Sequence, residues 1–160
     1  MKKTLQLCAT LALLASLAAC GGGGSSSSSS SNQSWAQTSG SVNVTSLTEI
    51  DNTVGLGATA VDGDTLTVNY TGWLYQSGAT NSEGQEFDST SGGTPFSFPL
   101  GKGQVIAGWD QGLVGMKVGG TRTLIIPSSL GYGPNGYGPI PGGAALVFTV
   151  QLVGVTPPAQ

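Results

Sequence analysis

Polar and apolar residues alternate over residues 65–74, with Leu66, Val68, Tyr70 and Leu74 on one face and Thr65, Thr67, Asn69 and Thr71 on the other. A period of two predicts a half-buried strand. Asp62-Gly63-Asp64 just ahead of it reads as a turn. A second strand is predicted over residues 121–126, stopped by Pro127. A third is predicted over residues 145–155, where Leu146, Phe148, Val150 and Leu152 share a face and Pro157-Pro158 end the run. Shorter strands are expected at residues 44–50 and 96–100. One helix is expected over residues 105–113, because Val105, Ile106, Trp109 and Leu113 lie on one side of a 3.6-residue period. Gly108 and Gly112 each cost that helix about 1 kcal/mol against Ala, so packing must hold it. One short helix among several strands predicts an α+β domain, with an antiparallel sheet folded around the helix.

The first residues follow a different pattern. Lys2 and Lys3 precede an apolar run over residues 5–17 that is interrupted by Gln6, Thr10 and Ser16; Ala18, Ala19 and Cys20 follow. This reads as a secretory signal peptide over residues 1–19, the run being too short for a comfortable membrane span. Leu17-Ala18-Ala19-Cys20 resembles the bacterial lipobox. That resemblance implies cleavage before Cys20, acylation of Cys20, and a lipid-anchored protein of the bacterial cell envelope facing the periplasm or the cell surface. The plainer reading is an ordinary signal peptide cut at the same small residues, with Cys20 incidental. Four glycines and seven serines then open residues 20–44, a segment too poor in apolar residues to offset its ordering entropy. It is expected to be a flexible tether, spanning about 25–30 Å root-mean-square, with Trp35 an isolated surface residue. Residues 45–156 are left as the folded domain and residues 157–160 as a tail.

Charge narrows the function. The formal charge is −3, and removing Lys2 and Lys3 leaves three basic against eight acidic residues, so nucleic acid is not an expected partner. The chain has no His, and Cys8 lies inside the apolar run, leaving Cys20 as the one Cys after processing. A zinc site of the usual N/S type therefore has no ligands. A Ser-His-Asp or Cys-His nucleophilic site is excluded for the same reason. No metal and no cofactor are expected.

Seven segments together resemble the FKBP-type peptidyl-prolyl cis-trans isomerases. They are Val68-Asn-Tyr70-Thr-Gly-Trp-Leu74, Phe87-Asp88-Ser89-Thr90, Pro95-Phe96-Ser-Phe98, Leu100-Gly-Lys-Gly-Gln-Val105-Ile106-Ala-Gly108-Trp109-Asp110-Gln-Gly112, Met116-Lys-Val118-Gly-Gly120, Ile126-Pro-Ser-Ser-Leu-Gly-Tyr132-Gly133 and Leu146-Val-Phe148. The resemblance implies a five- to six-stranded antiparallel half-barrel wrapped around one short helix. It also implies a monomer acting on proline-containing protein or peptide segments, and inhibition by the macrolides tacrolimus and rapamycin. It places Trp109 at the floor of a pocket walled by Tyr70, Phe87, Phe96, Val105, Ile106 and Phe148. Tyr132 would bond a substrate carbonyl, Asp88 would lie beside the twisting amide, and Tyr137 and Ile140 would come from a loop over the site. By pattern alone, Tyr70, Phe148 and Trp109 read as core, Asp88 as a turn residue and Tyr132 as a surface aromatic.

Such residues suit a reaction that needs no nucleophile, metal or general base. An X–Pro bond isomerises over tens to hundreds of seconds across a barrier of about 18–20 kcal/mol. Resonance makes the planar amide polar, and twisting reduces that polarity, so a dry apolar pocket favours the twisted state. Each 1.36 kcal/mol of such differential binding is tenfold in rate. Two departures from the family pattern stand out. Residues 75–86 are longer than a minimal hairpin connection and are expected to bulge at the sheet end, and the Gly/Pro-rich loop 133–143 is about one residue shorter than in small cytosolic members. Three function classes remain: a tethered isomerase, a non-catalytic module that holds a proline-containing segment in the same pocket, and an envelope lipoprotein using the fold as a scaffold.

Overall fold

The computed structural model describes residues 30–158, in which six strands form one antiparallel sheet. The strands are β1 (Thr48–Thr53), β2 (Thr65–Tyr75), β3 (Glu83–Ser89), β4 (Phe96–Pro99), β5 (Thr121–Ile126) and β6 (Leu146–Thr156). Their order is β1-β5-β6-β2-β3, with β4 also on β2. β2 pairs along its length with β6, and its other edge is divided: residues 65–68 take β4 and residues 71–75 take β3. That division opens the sheet into a half-barrel around the helix α2 (Ala107–Gly112).

The alternation expected in β2 and β6 holds. Leu66, Val68, Leu146, Phe148, Val150 and Leu152 all enter the core beside Trp109 and Leu113 of the helical segment. The glycines that weaken α2 are what let it lie down on β5. A Cβ built on Gly108 would sit 2.4 Å from Ile126 Cγ2, and one on Gly112 2.8 Å from Leu124 Cδ2. Both contacts are far inside the ordinary carbon–carbon spacing of about 3.5–4.0 Å, so only glycine permits this approach.

Besides the first strand, which lies at Thr48–Thr53 and not at residues 44–50, three expectations are corrected. The helix is shorter than residues 105–113, since Ile106 is extended (φ −61°, ψ 146°) and closes its start. β3 was not expected at all; its first residues, Glu-Gly-Gln-Glu, offer no apolar pattern, and pairing to β2 is what makes it a strand. Register shifts at Gly72/Trp73 and Trp73/Tyr75 mark the bulge in that pairing.

The tether, thirdly, does not run free up to residue 44. A helix, α1 (Ser30–Ser39), leads into a 3-10 turn at Ser41–Asn43. Ala36, Ser39 and Ser41 are buried, and Trp35 packs against the domain core instead of standing alone. The Ser77 N–H donates to the Ser39 carbonyl at 2.7 Å. Gly40, left-handed at φ +78°, reverses the chain where a Cβ would meet Ser77 Cβ at 2.7 Å. Residues 1–29, where the signal peptide, Cys20 and most of the tether were expected, and the last two residues of the expected tail lie outside the described residues. Among the described residues no helix is long and apolar enough to cross a membrane.

Candidate functional site

The site lies where α2 faces the inner surface of β2 and β6. Trp109 is buried, and its ring centroid lies 4.9 Å from Tyr70, 5.2 Å from Phe148 and 5.4 Å from Phe98. The Tyr70 and Phe148 rings stand nearly perpendicular to the indole, at 85° and 83°, the edge-to-face arrangement that ring quadrupoles favour. Phe87 meets Phe148 in the same way at 5.6 Å. Phe96 stacks on Phe98 at 5.5 Å and remains 41% exposed at the mouth. The Trp109 indole N–H is buried with no hydrogen-bond partner among the described residues, so no hydrogen bond of its own fixes the depth of the ring.

All of these rings except Phe98 line a cleft of about 460 Å³, together with Asp88, Gln104, Val105, Ile106 and Tyr132. Val105 and Ile106 reach it because the turn before α2 is pinned. The two carboxylate oxygens of Asp110 accept the backbone N–H groups of Gly101 and Gly103, each at 2.9 Å. Asp88 is the one ionisable carboxylate in the lining. It projects from β3 at the exposed rim, where it accepts a 2.6 Å hydrogen bond from the Tyr70 hydroxyl.

Burial pushes the Tyr70 phenol well above its usual range, and the hydrogen bond to Asp88 and that group's charge push it further. Tyr132 is raised first by burial, then by the charge of Asp88 and by Tyr137. An ordinary tyrosine titrates near pH ~10, so both hydroxyls stay protonated donors at neutral pH. Tyr70 spends its proton on Asp88, whereas the Tyr132 hydroxyl makes no hydrogen bond among the described residues. Among those residues, no group of three His, Cys, Asp or Glu could hold a metal ion.

A model of the FKBP-type peptidyl-prolyl cis-trans isomerases matches residues 57–153. The chain belongs to that family. FK506-binding protein 4 of Gibberella zeae is 46% identical over 110 residues, covering 69% of this chain and 21% of that protein. Peptidyl-prolyl cis-trans isomerase FKBP2 of Mus musculus is 55% identical over 93 residues, covering 57% of this chain and 61% of that one. The chain thus spans less than two thirds of the length of either relative. The crystal structure of AtFKBP13 superimposes with a TM-score of 0.59 at 37% identity, over 68% of this chain and 91% of that one.

The FKBP-type domain brings nine of the residues singled out from sequence into one cleft: Tyr70, Phe87, Asp88, Phe96, Val105, Ile106, Trp109, Tyr132 and Phe148. Two others fall elsewhere. Ile140 is 5% exposed and sits in the core, outside the lining. It works as a peg for the loop, exchanging backbone hydrogen bonds with Tyr137 at 3.0 and 2.9 Å. Tyr137 is 71% exposed and also outside the lining, its ring stacked on Tyr132 at 5.5 Å and 14°. The paired Tyr137 and Ile140 close a tight turn that carries Ile140 into the core. Gln104 lines the cleft and was not anticipated; a lone Gln in a Gly-rich turn carries no signal that could have found it.

Proposed function

We propose that this FKBP-type domain catalyses cis–trans rotation of X–Pro bonds in extracytoplasmic proteins by non-covalent stabilisation of the twisted amide. The observation that carries the reading is the cleft itself, walled by aromatic rings, floored by Trp109 and holding a single carboxylate at its rim. A proline ring laid on the indole, between Tyr70, Phe87 and Phe148, leaves its amide in an apolar setting where the less polar twisted state is favoured. The Tyr132 hydroxyl donates to a substrate carbonyl, which fixes the peptide as one end of the bond turns. Tyr70 holds Asp88 beside that amide, so that the carboxylate orients the substrate without transferring a proton. Val105, Ile106 and Phe96 close the mouth over the flanking residue, and the stacked Tyr137 extends the rim. A protease-coupled assay on Xaa–Pro peptides tests the reading. Acceleration over the uncatalysed rate is expected, and its absence in folded protein would leave a non-catalytic binding module.

The cleft also suits the macrolides. The name of the Gibberella zeae relative includes FK506 binding, and the ring set here is nearly complete. Tacrolimus (FK506) and rapamycin are therefore expected to stabilise the domain by RT ln(1 + [L]/Kd), about 2.7 kcal/mol at a hundredfold excess over Kd. An unchanged Tm at saturating macrolide would count against an open pocket.

The bacterial lipoprotein form rests on sequence alone. Lys2 and Lys3, the apolar run and Leu17-Ala18-Ala19-Cys20 support acylation of Cys20 and a place on the cell envelope. Cys20→Ala should release the protein from the membrane fraction and abolish fatty-acid labelling; a variant that stays with the membrane would end this part of the proposal.

A further inference from the structure

Arg122 is 7% exposed, on the inward face of β5 in the same alternating row as Leu124 and Ile126. All three nitrogens of its guanidinium donate hydrogen bonds. Nε donates to Asp51 Oδ1 at 2.6 Å and Nη2 to Asp51 Oδ2 at 3.1 Å, a forked pair with β1. Nη1 donates to Glu49 Oε2 at 3.1 Å, to the Gly112 carbonyl at 2.8 Å and to the Val114 carbonyl at 3.3 Å. Gly112 is the last residue of α2. The terminal carbonyls of a helix have no partner within it, and a cation there is favourable to its dipole.

α2 has six residues, two of them glycine, and no intrinsic stability at that length. What seats it is one row of β5 side chains: Ile126 and Leu124 fit under Gly108 and Gly112, and Arg122 grips the end. The Trp109 ring rides on that helix, and its indole N–H makes no hydrogen bond among the described residues that would fix its depth. We infer that Arg122, braced by Asp51 and Glu49, is a positioning residue that sets the height of Trp109 at the pocket floor. It does not line the cleft, its hydrogen-bond partners do not line it either, and it acts through the seating of α2. The inference rests on the isomerase reading for its kinetic consequence, but not for the seating itself.

The test uses protein in which Trp35→Phe and Trp73→Phe leave Trp109 as the one fluorescent indole. Arg122→Met, Arg122→Lys and a core control, Leu152→Ala, are compared well below their melting temperatures. Arg122→Met is expected to shift the Trp109 emission maximum and to lower kcat/KM about tenfold, within the ~10² that a 1 Å misplacement can cost. Arg122→Lys keeps a donor to the carbonyls and should recover part of both. Leu152→Ala, which loses stability without touching the Arg122 bonds, should keep wild-type emission and rate. Wild-type emission and rate in folded Arg122→Met would overturn the inference, as would equal changes in Leu152→Ala. If Arg122→Met does not fold, Arg122→Lys decides, since unchanged emission there removes the role. An inactive wild type would sink the isomerase reading while the emission comparison still judged the seating.

Discussion

Gly108→Ala sets two opposed effects against each other at the contact that places α2. A glycine-to-alanine change inside a helix gains about 0.4–1 kcal/mol, largely by restricting the unfolded chain. Against that, the new methyl would stand 2.4, 2.8 and 3.0 Å from Cγ2, Cδ1 and Cγ1 of Ile126. Relief to about 3.5 Å needs a movement of roughly 1 Å. Ile126 is fully buried and cannot swing aside, so the helix must lift or the core must strain. Overpacking of this kind costs about 1–3 kcal/mol. The net expectation is a loss of about 1–2 kcal/mol, or roughly 3–6 °C in Tm for a domain of this size. Because Trp109 follows Gly108 directly, lifting the helix also raises the pocket floor, and kcat/KM should fall with stability. A double-mutant cycle with Ile126→Ala isolates the clash. The second change removes all three crowding carbons, so the double variant should be about 1–2 kcal/mol more stable than the sum of the single changes predicts. Urea unfolding and the coupled peptide assay provide the readings. A Gly108→Ala protein as stable as wild type, or an additive double variant, would refute the claim that this notch seats the helix.

Phe148→Ala should cost about 3–5 kcal/mol, because the ring is buried between Phe87 and Trp109; chemical denaturation measures it, with loss of turnover expected alongside. Asp51 gives a pH signature. The hydrogen bond from Arg122 holds its carboxyl below the ordinary range, with the Arg122 charge acting the same way and burial opposing both. A depressed folded pKa contributes stability that is complete above the unfolded value, 3.8 for an ordinary Asp, and is lost as pH falls through the folded value. The Tm advantage of wild type over Asp51→Asn should therefore be constant from about pH 5 to 8 and shrink below about pH 4; a gap that closes near neutrality would contradict it. A chain started at residue 45 loses Trp35, Ala36 and the Ser39 carbonyl. It should melt lower by about 1–3 kcal/mol of lost burial, while an unchanged Tm would mean that the arm contributes nothing.

The strands that were legible are those with one wet and one dry face. β5 is found over the expected residues, and β2 and β6 differ from expectation by a residue at their ends, because alternation survives wherever one face meets the core. β3 was illegible for the converse reason: Gln85, Glu86 and Asp88 face solvent, and only Phe87 hints at an interior. The arm was misread on composition. A Ser- and Gln-rich segment has little to bury, yet Trp35 packs on the core, Ala36 lies beside Gly143 and Ser39 bonds Ser77, a fit that no local pattern describes. Within the site, aromatic residues in family order led to the cleft, while the depth of Ile140 depended on the turn it closes with Tyr137. Arg122 gave no sign at all, since its partners Glu49 and Asp51 are more than 70 positions away.

The most direct test of catalysis without proton transfer is the pH profile of kcat/KM for an Xaa–Pro peptide, measured between about pH 6 and 8 on wild type and on Asp88→Asn. Tyr70 and Tyr132 are both held above their usual range and the chain has no His. The account predicts a nearly flat wild-type profile and a partial loss of rate, with equally flat pH dependence, in Asp88→Asn. A rate that titrates sharply near neutrality, or a complete loss in folded Asp88→Asn, would contradict it.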